Sequence, residues 1–350
     1  MDKRMLGKSG IAAHPLGIGC WSYGGGSYWG EQAQADVENI VAAALDRGLN
    51  FFDTAAMYND GRSEISLGRA LRGRRERAVV ATKVSPADCH RAAMIASLDA
   101  SLSRLGMDYV DLFMIHWPLN PISVRHFTVD PALIADPPTA AEAFATLNEL
   151  KKQGKIRAIG VSNFGAKQLA EALATGVRLD VNEITYNLLS RAIEREILPF
   201  CVQNGISVIS SMALQQGMLT GRFTDAASVP PPQAHSRHFD YRRGGAESRH
   251  TGPGAEEEMF AAIGGIKEIS AELGVSMPQL AIAWILARPG LTGALVGSRS
   301  VEELDENIEA AELRLSPEAV ARLDALTAPV LQKLGYSADY YEDGENNRIW

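Results

Sequence analysis

Four residues in the first 116 of this chain have types and positions that suit proton transfer to an oxygen. Asp53 ends the apolar run Leu49–Asp53, Lys83 ends Ala78–Lys83, His116 ends Val110–His116, and Tyr58 follows Asp53 by five positions. A tyrosine with an ordinary pKa of about 10 is a poor acid at neutral pH and needs a cation beside it. Lys83 supplies that cation and Asp53 holds it charged and in place. His116 would donate a hydrogen bond to a carbonyl oxygen on which negative charge develops as hydride arrives. Taken singly, each has an ordinary structural reading: Asp53-Thr54 as a helix N-cap, Tyr58 as a surface aromatic, Lys83 as a solvated charge, His116 before Trp117-Pro118 as a packed loop histidine. The combination carries the chemical reading.

For these residues to meet, the runs that precede them must be parallel strands of one sheet. Strands are predicted at Leu16–Cys20, Leu49–Asp53, Ala78–Lys83, Val110–His116, Ile156–Val161, Asp180–Ile184, Ser207–Ser211 and Gly293–Val296. Between them, apolar residues at three- and four-residue spacing predict helices near Ala33–Arg47, Ser63–Leu71, Arg91–Leu105, Thr139–Gln153, Ala166–Ala174, Ile193–Gln203, Glu257–Leu273 and Val301–Ala310. Eight of each in alternation predict a (β/α)8 TIM barrel occupying residues 1–350 as one domain, with its active site at the C-terminal ends of the strands. The doubly wound alternative lacks its phosphate fingerprint, since Gly17-Ile18-Gly19 is only half of G-x-G-x-x-G.

Two segments interrupt the rhythm, Leu119–Pro138 and Arg222–Gly254, both long, polar and Pro/Gly-bearing; such loops are usually covers or mobile segments. The second carries Arg222, Arg237, Arg242, Arg243 and Arg249 with three histidines, and reads equally as a cover for an anionic ligand or as a solvated loop. Trp21, Trp29, Trp117 and the tail Ser337–Trp350 read as walls of a partly apolar, partly sugar-like substrate pocket, or as core packing. The net charge of −8 argues against nucleic acid or an anionic membrane as partner and favours a small solute. Three widely spaced cysteines offer no metal or redox pair, and no apolar run approaches the roughly 20 residues that span a bilayer, so a cytoplasmic setting is expected.

Along nearly its whole length the sequence resembles the aldo-keto reductase superfamily, in its microbial branch related to the potassium-channel β subunits. The resemblance rests on Leu16-Gly17-Ile18-Gly19-Cys20-Trp21, on Asp53-Thr54-Ala55-Ala56-Met57-Tyr58 with Gly61, Ser63, Glu64, Leu67, Gly68 and Leu71, and on Thr82-Lys83. Asp111-Leu112 through His116-Trp117 and Gly160-Val161-Ser162-Asn163-Phe164 continue it in order. It implies that Asp53, Tyr58, Lys83 and His116 form a catalytic tetrad and that NADPH lies extended across the barrel mouth. The implied contacts are Gly19, Trp21, Asp53, Ser162, Asn163 and Glu183 around the nicotinamide, then Ser211, Met212, Leu214, Gly217 and Leu219. Gly297, Ser298, Arg299, Glu303, Glu306 and Asn307 would hold the adenosine phosphate, with Arg299 on the 2′-phosphate. A helix N-terminus beside an arginine suits a phosphate, although an N-capping Ser298 or Ser300 beside a surface arginine explains the same residues without a ligand. Substrate contacts would come from Trp21, Tyr58, His116 and Trp117.

Three positions depart from the family pattern. Glu183 stands where relatives commonly carry Gln, so an acid would meet the nicotinamide carboxamide. Ser211-Met212-Ala213 replaces Tyr-Ser-Pro and lacks the stacking aromatic, part of whose role Trp21 could take. Glu303 puts an acid near the adenosine. The expected activity is reversible reduction of an aldehyde or ketone, a sugar aldehyde among them, by NADPH. The alternative is a cofactor-binding regulatory subunit with little turnover, and a barrel enzyme of unrelated chemistry, with no affinity for a nicotinamide, is a third reading.

Overall fold

A computed structural model describes all 350 residues. A short hairpin, β1 (Arg4–Met5) and β2 (Ala12–Ala13), precedes eight parallel strands that close into a barrel. These are β3 (Leu16–Gly19), β4 (Phe51–Asp53), β5 (Val79–Val84), β6 (Val110–Ile115), β7 (Ile156–Ser162), β8 (Val181–Thr185), β9 (Ser207–Ser211) and β10 (Leu291–Val296), with β10 pairing back onto β3. The helices are α1 (Gln34–Asp46), α2 (Arg62–Ala70), α3 (Arg91–Leu105), the short α4 (Pro121–Val124) and α5 (Pro131–Ala135), α6 (Ala140–Lys152), α7 (Ala166–Ala174), α8 (Ile197–Asn204), α9 (Glu256–Leu273), α10 (Met277–Ala287), α11 (Val301–Glu312) and α12 (Pro317–Leu334). No single helix is long and apolar enough to cross a membrane.

The period of two along each strand sorts side chains into two cores. Phe51, Val79, Ala81, Leu112, Met114, Ala158, Val181, Ile209 and Leu295 fill the barrel interior, closed below by Leu6, Ile11 and Ala13 of the hairpin. Their neighbours, such as Phe52, Val80, Phe113, Ile159 and Val208, pack outward under the helices. Gly17 keeps the interior from overfilling, because a Cβ there would come within 2.6 Å of the Phe51 ring and 2.7 Å of Leu295. Continued one step upward, the inward parity delivers Asp53, Lys83, His116, Ser162 and Glu183 to one layer at the mouth.

The helix assignment differs from the sequence-based expectation in four places, one of them the short α4 and α5 within Leu119–Pro138. Helix α10, unread in the sequence, supplies the layer between β9 and β10 and packs on β10 and α11, whereas α9 lies outside it against α12. Eight residues of α10 are buried, including Leu280, Ile282, Trp284 and Ile285, so the helix has no polar face to give it a period. The helix expected at Ile193–Gln203 is a single turn, Ala192–Glu194, followed by α8. Pro199 sits in the first turn of α8, where its missing N–H costs nothing, but its ring bars a continuous helix through Arg195. Finally α12, also unread in the sequence, precedes the C-terminal tail.

Candidate active site

The loop between Asp53 and α2 is braced from below. Ser63 Oγ donates to the Cys20 carbonyl at 2.7 Å and meets Thr54 Oγ1 at 2.7 Å. Buried Glu64 accepts from Thr82 Oγ1 and from Arg104 Nε, both at 2.6 Å. Asn59, in the left-handed region at φ 50°, donates to the carbonyls of Trp21 at 2.7 Å and Tyr23 at 2.9 Å. Motif residues Ser63 and Glu64 therefore fix the span that carries Tyr58.

The structure brings the four expected side chains together. Lys83 Nζ donates to Asp53 Oδ2 at 2.5 Å, to the Thr54 carbonyl at 3.2 Å and to the Tyr58 hydroxyl oxygen at 3.3 Å. These use all three protons of the ammonium. His116 stands edge-on to Tyr58 with ring centres 5.6 Å apart, and its Nδ1 has no partner. Burial, and then the charge of Lys83, lower His116 well below its ordinary value, so the imidazole is neutral. Burial raises the Tyr58 phenol while Lys83 opposes that shift. Burial alone would lower Lys83, but Asp53 and Glu183 outweigh it and keep the ammonium charged.

Glu183, expected at the nicotinamide carboxamide, also stands against the tetrad. The side chain enters the barrel mouth beside Lys83, with Oε2 3.4 Å from Nζ, and that oxygen has no hydrogen bond. Burial and the neighbouring Asp53 push its pKa up to about 8, and burial raises Asp53 as well.

Around this layer the remaining expected residues form an open rim. A Cβ on Gly19 or Gly297 would meet nothing closer than 3.8 Å, so the ends of β3 and β10 leave a shallow floor. Ser162 is buried, and Asn163, at φ 62°, donates to Ser162 Oγ and the His116 carbonyl, both at 3.1 Å. The loop Ser211–Leu219 holds Met212, Gln215 and Gln216 in the left-handed region and is tied down by Asn187, whose Nδ2 donates to the Met212 carbonyl at 2.9 Å and Gln215 Oε1 at 2.6 Å. Strain of this kind persists only where surrounding contacts enforce it, and it clusters at ligand sites. Leu214 and Gly217 are partly exposed on this loop, while Leu219 is fully buried and has no side chain to offer the mouth. At the start of α11, Ser300 caps the Glu303 N–H at 3.2 Å and Glu303 accepts the Arg299 N–H at 2.8 Å. The Arg299 guanidinium donates to the carbonyls of Trp29 and Glu31, both at 2.6 Å, and to Gln32 Oε1 at 3.1 Å. Ser298 is buried against Asn307 at 3.1 Å, and Glu306 is exposed.

Trp21 stacks on Tyr28 with centres 5.1 Å apart and stands 5.8 Å from Tyr58, with Trp29 edge-on at 5.4 Å. It forms an aromatic wall beside Tyr58 rather than a free ring over the Ser211 loop. Trp117 is buried, with the Arg348 guanidinium 3.7 Å from its ring centre. Arg348 in turn grips Asp339 at 2.6 and 2.7 Å, closing the tail into a loop over Trp117. Trp350 accepts at its carbonyl from Lys167 at 3.1 Å, and a Cβ on Gly165 would strike that carbonyl at 2.2 Å. The arginines of Arg222–Gly254 are largely engaged by the protein itself: Arg237 donates to the carbonyls of Leu334, Ser337 and Asp339, Arg242 to Asp240 and Arg243 to Glu256. Asn59, Asn187 and the Asp339–Arg348 pair escaped sequence reasoning; the Asn-Asp-Gly turn at 59–61 was the one local signal among them.

The aldo/keto reductase family's model matches residues 15–328. The chain belongs to the aldo/keto reductase family. It is 34% identical over 339 residues to the NADH-specific methylglyoxal reductase of Escherichia coli K12, covering 90% of this chain and 95% of that one. It is 30% identical over 344 residues to a probable voltage-gated potassium channel subunit beta of rice, covering 93% and 96%. Among solved structures, an aldo/keto reductase of Klebsiella pneumoniae in complex with NADP and acetate superposes with a TM-score of 0.68 at 27% identity, over 99% of each chain. This family member therefore shares its barrel and its overall length with these relatives.

Proposed function

We propose that this aldo/keto reductase reduces an aldehyde or ketone to the alcohol with NADPH, and that Tyr58 is the proton donor. The observation that carries the reading is the hydrogen bond from Lys83 to the Tyr58 hydroxyl oxygen. Because Lys83 donates there, the phenol's own proton is free to point into the mouth. The same contact stabilises the phenolate left behind once that proton is given up. Asp53 holds Lys83, and neutral His116 has an N–H for the carbonyl oxygen as charge builds on it.

The residues fit a nicotinamide cofactor. The floor at Gly19 and Gly297 is open, Ser162 and Asn163 line it, and the unpartnered acceptors Asp53 Oδ1 and Glu183 Oε2 suit an amide NH2. The braced loop from Ser211 to Gly217 would support the pyrophosphate side, and Arg299 beside the α11 N-terminus would meet the 2′-phosphate. Bound there, reduced nicotinamide supplies the hydride that the carbonyl carbon accepts.

Trp21, Tyr28 and Trp29 make the entrance aromatic, which favours small sugar-like and aromatic aldehydes. Methylglyoxal, named for the E. coli relative, belongs in the first substrate panel. Loss of nicotinamide absorbance with these aldehydes is the test. Turnover that disappears in Tyr58→Phe supports the reading; tight NADPH binding without reduction of any carbonyl replaces it with a regulatory role.

A further inference from the structure

The mouth layer holds two buried carboxyls for one ammonium. Asp53 and Lys83 are 2% and 1% exposed and Glu183 4%, so their charges are largely withdrawn from solvent. If both carboxyls were ionised the group would carry a net negative charge inside a protein interior, which is strongly unfavourable. Hydrogen-bond counting leads to the same place. The three protons of Lys83 are spent on Asp53, Thr54 and Tyr58, so Glu183 Oε2 receives none although it lies within 3.4 Å of Nζ. Asp53 Oδ1 is likewise without a donor. Asp53 Oδ2 at 2.5 Å and Glu183 Oε2 at 3.4 Å from the same Nζ hold the two carboxyls side by side, and in the unloaded protein a proton shared between them would satisfy both.

We propose that Glu183 and Asp53 share one proton beside Lys83, and that Glu183 is a positioning residue whose loss of that proton at raised pH shuts down proton delivery by Tyr58. The first half stands on the apo geometry; the second rests on the reductase reading. The ionisable groups facing Glu183 are Asp53 from β4, Lys83 from β5 and Tyr58 from the loop after β4. His116 just after β6 and Cys20 just after β3 feel the charge of Lys83, and Ser162 and Ser211 on the flanking strands do not titrate. When the shared proton leaves to solvent, one uncompensated negative charge appears beside the Tyr58 oxygen. That oxygen must itself become negative on giving up its proton, so the phenol then holds the proton more tightly and reduction slows.

The experiment has two arms on the full-length protein. Infrared spectra of the unloaded protein are recorded across neutral and alkaline pH for wild type and Glu183→Gln, an isosteric change that keeps the packing. A protonated-carboxyl band that fades as pH rises in wild type and is absent from Glu183→Gln is expected; no such band, or one that survives the substitution, overturns the shared proton. Because folding raises Glu183, its contribution to stability is full below the ordinary carboxylate range and is lost as pH climbs to about 8. The urea midpoint should fall over that window in wild type and stay nearly level in Glu183→Gln. In the second arm, single-turnover hydride transfer should fall about tenfold per pH unit above the transition in wild type and stay flat in Glu183→Gln. Identical profiles overturn the positioning role. A band present with no carbonyl reduced at any pH upholds the proton and overturns the reductase reading instead.

Discussion

The two ends of the barrel handle buried charge differently in degree: at the closed end Asp180 Oδ1 and Arg75 Nε also lack hydrogen bonds, but Asp180 keeps Arg178 and Lys151 within 3.4 and 3.6 Å. At the closed end, Asp111 is fully satisfied: Arg157 donates to Oδ1 at 2.5 Å, and Arg75 and the Val80 N–H donate to Oδ2 at 2.7 and 2.9 Å. The hairpin seals that end, with the Gly7 N–H on Ser207 Oγ at 2.8 Å and Arg4 on the Leu291 carbonyl at 3.0 Å. At the open end, Asp53, Glu183 and His116 each keep a buried polar atom without a partner. An unsatisfied buried group costs stability, so a protein retains several in one place only where something else is gained. The closed end carries the paired charges, and the open end, on the reading proposed above, the reactive groups, on the same eight strands.

Substitutions at the two ends should therefore separate the two properties. Tyr58→Phe is expected to give the largest effect, a loss of kcat of about 10²- to 10⁴-fold with the melting temperature and NADPH affinity unchanged; steady-state kinetics beside calorimetry measures it. Asp111→Ala should do the reverse. It leaves Arg75 and Arg157 without their anion and should cost about 3 kcal/mol in urea unfolding, with kcat per folded molecule preserved. A fall in kcat there would break the contrast. Arg348→Ala, which frees Asp339 and uncovers Trp117, should lower stability by about 2 kcal/mol and raise KM more than it lowers kcat, because it reshapes the wall without touching the proton path. Arg299→Ala should weaken NADPH about tenfold in a fluorescence titration while changing NADH less; equal weakening would remove the 2′-phosphate from its role.

The open end was also the more legible in the sequence. Asp53, Lys83 and His116 stand one step beyond apolar runs, and parity alone puts them in one layer. The same parity places Glu183 there, since Val181 points inward two residues earlier, yet resemblance directed Glu183 to a carboxamide and hid its proximity to Lys83. Helix α10 could not be read because burial on all sides erased the 3.6-residue period that marks a helix. The tail could not be read either. Its shape depends on Asp339 and Arg348 finding each other and on side chains reaching distant carbonyls, and neither leaves a periodic trace in the chain.

The tail does not stand alone against the barrel. Arg237 of one long loop holds its carbonyls, Arg125 of the other reaches Asn346 at 2.6 Å, and Gln216 meets Tyr341 at 3.3 Å. Those bonds tie four separate stretches of sequence, the tail, the two long loops and the Ser211–Leu219 loop, into one unit. Grafting the tail from another barrel would strand Arg125, Arg237 and Gln216 opposite the wrong partners, whereas moving all four stretches together would carry the lock intact. These stretches thus act as one fastened cover, and a change in any of them reaches the tail.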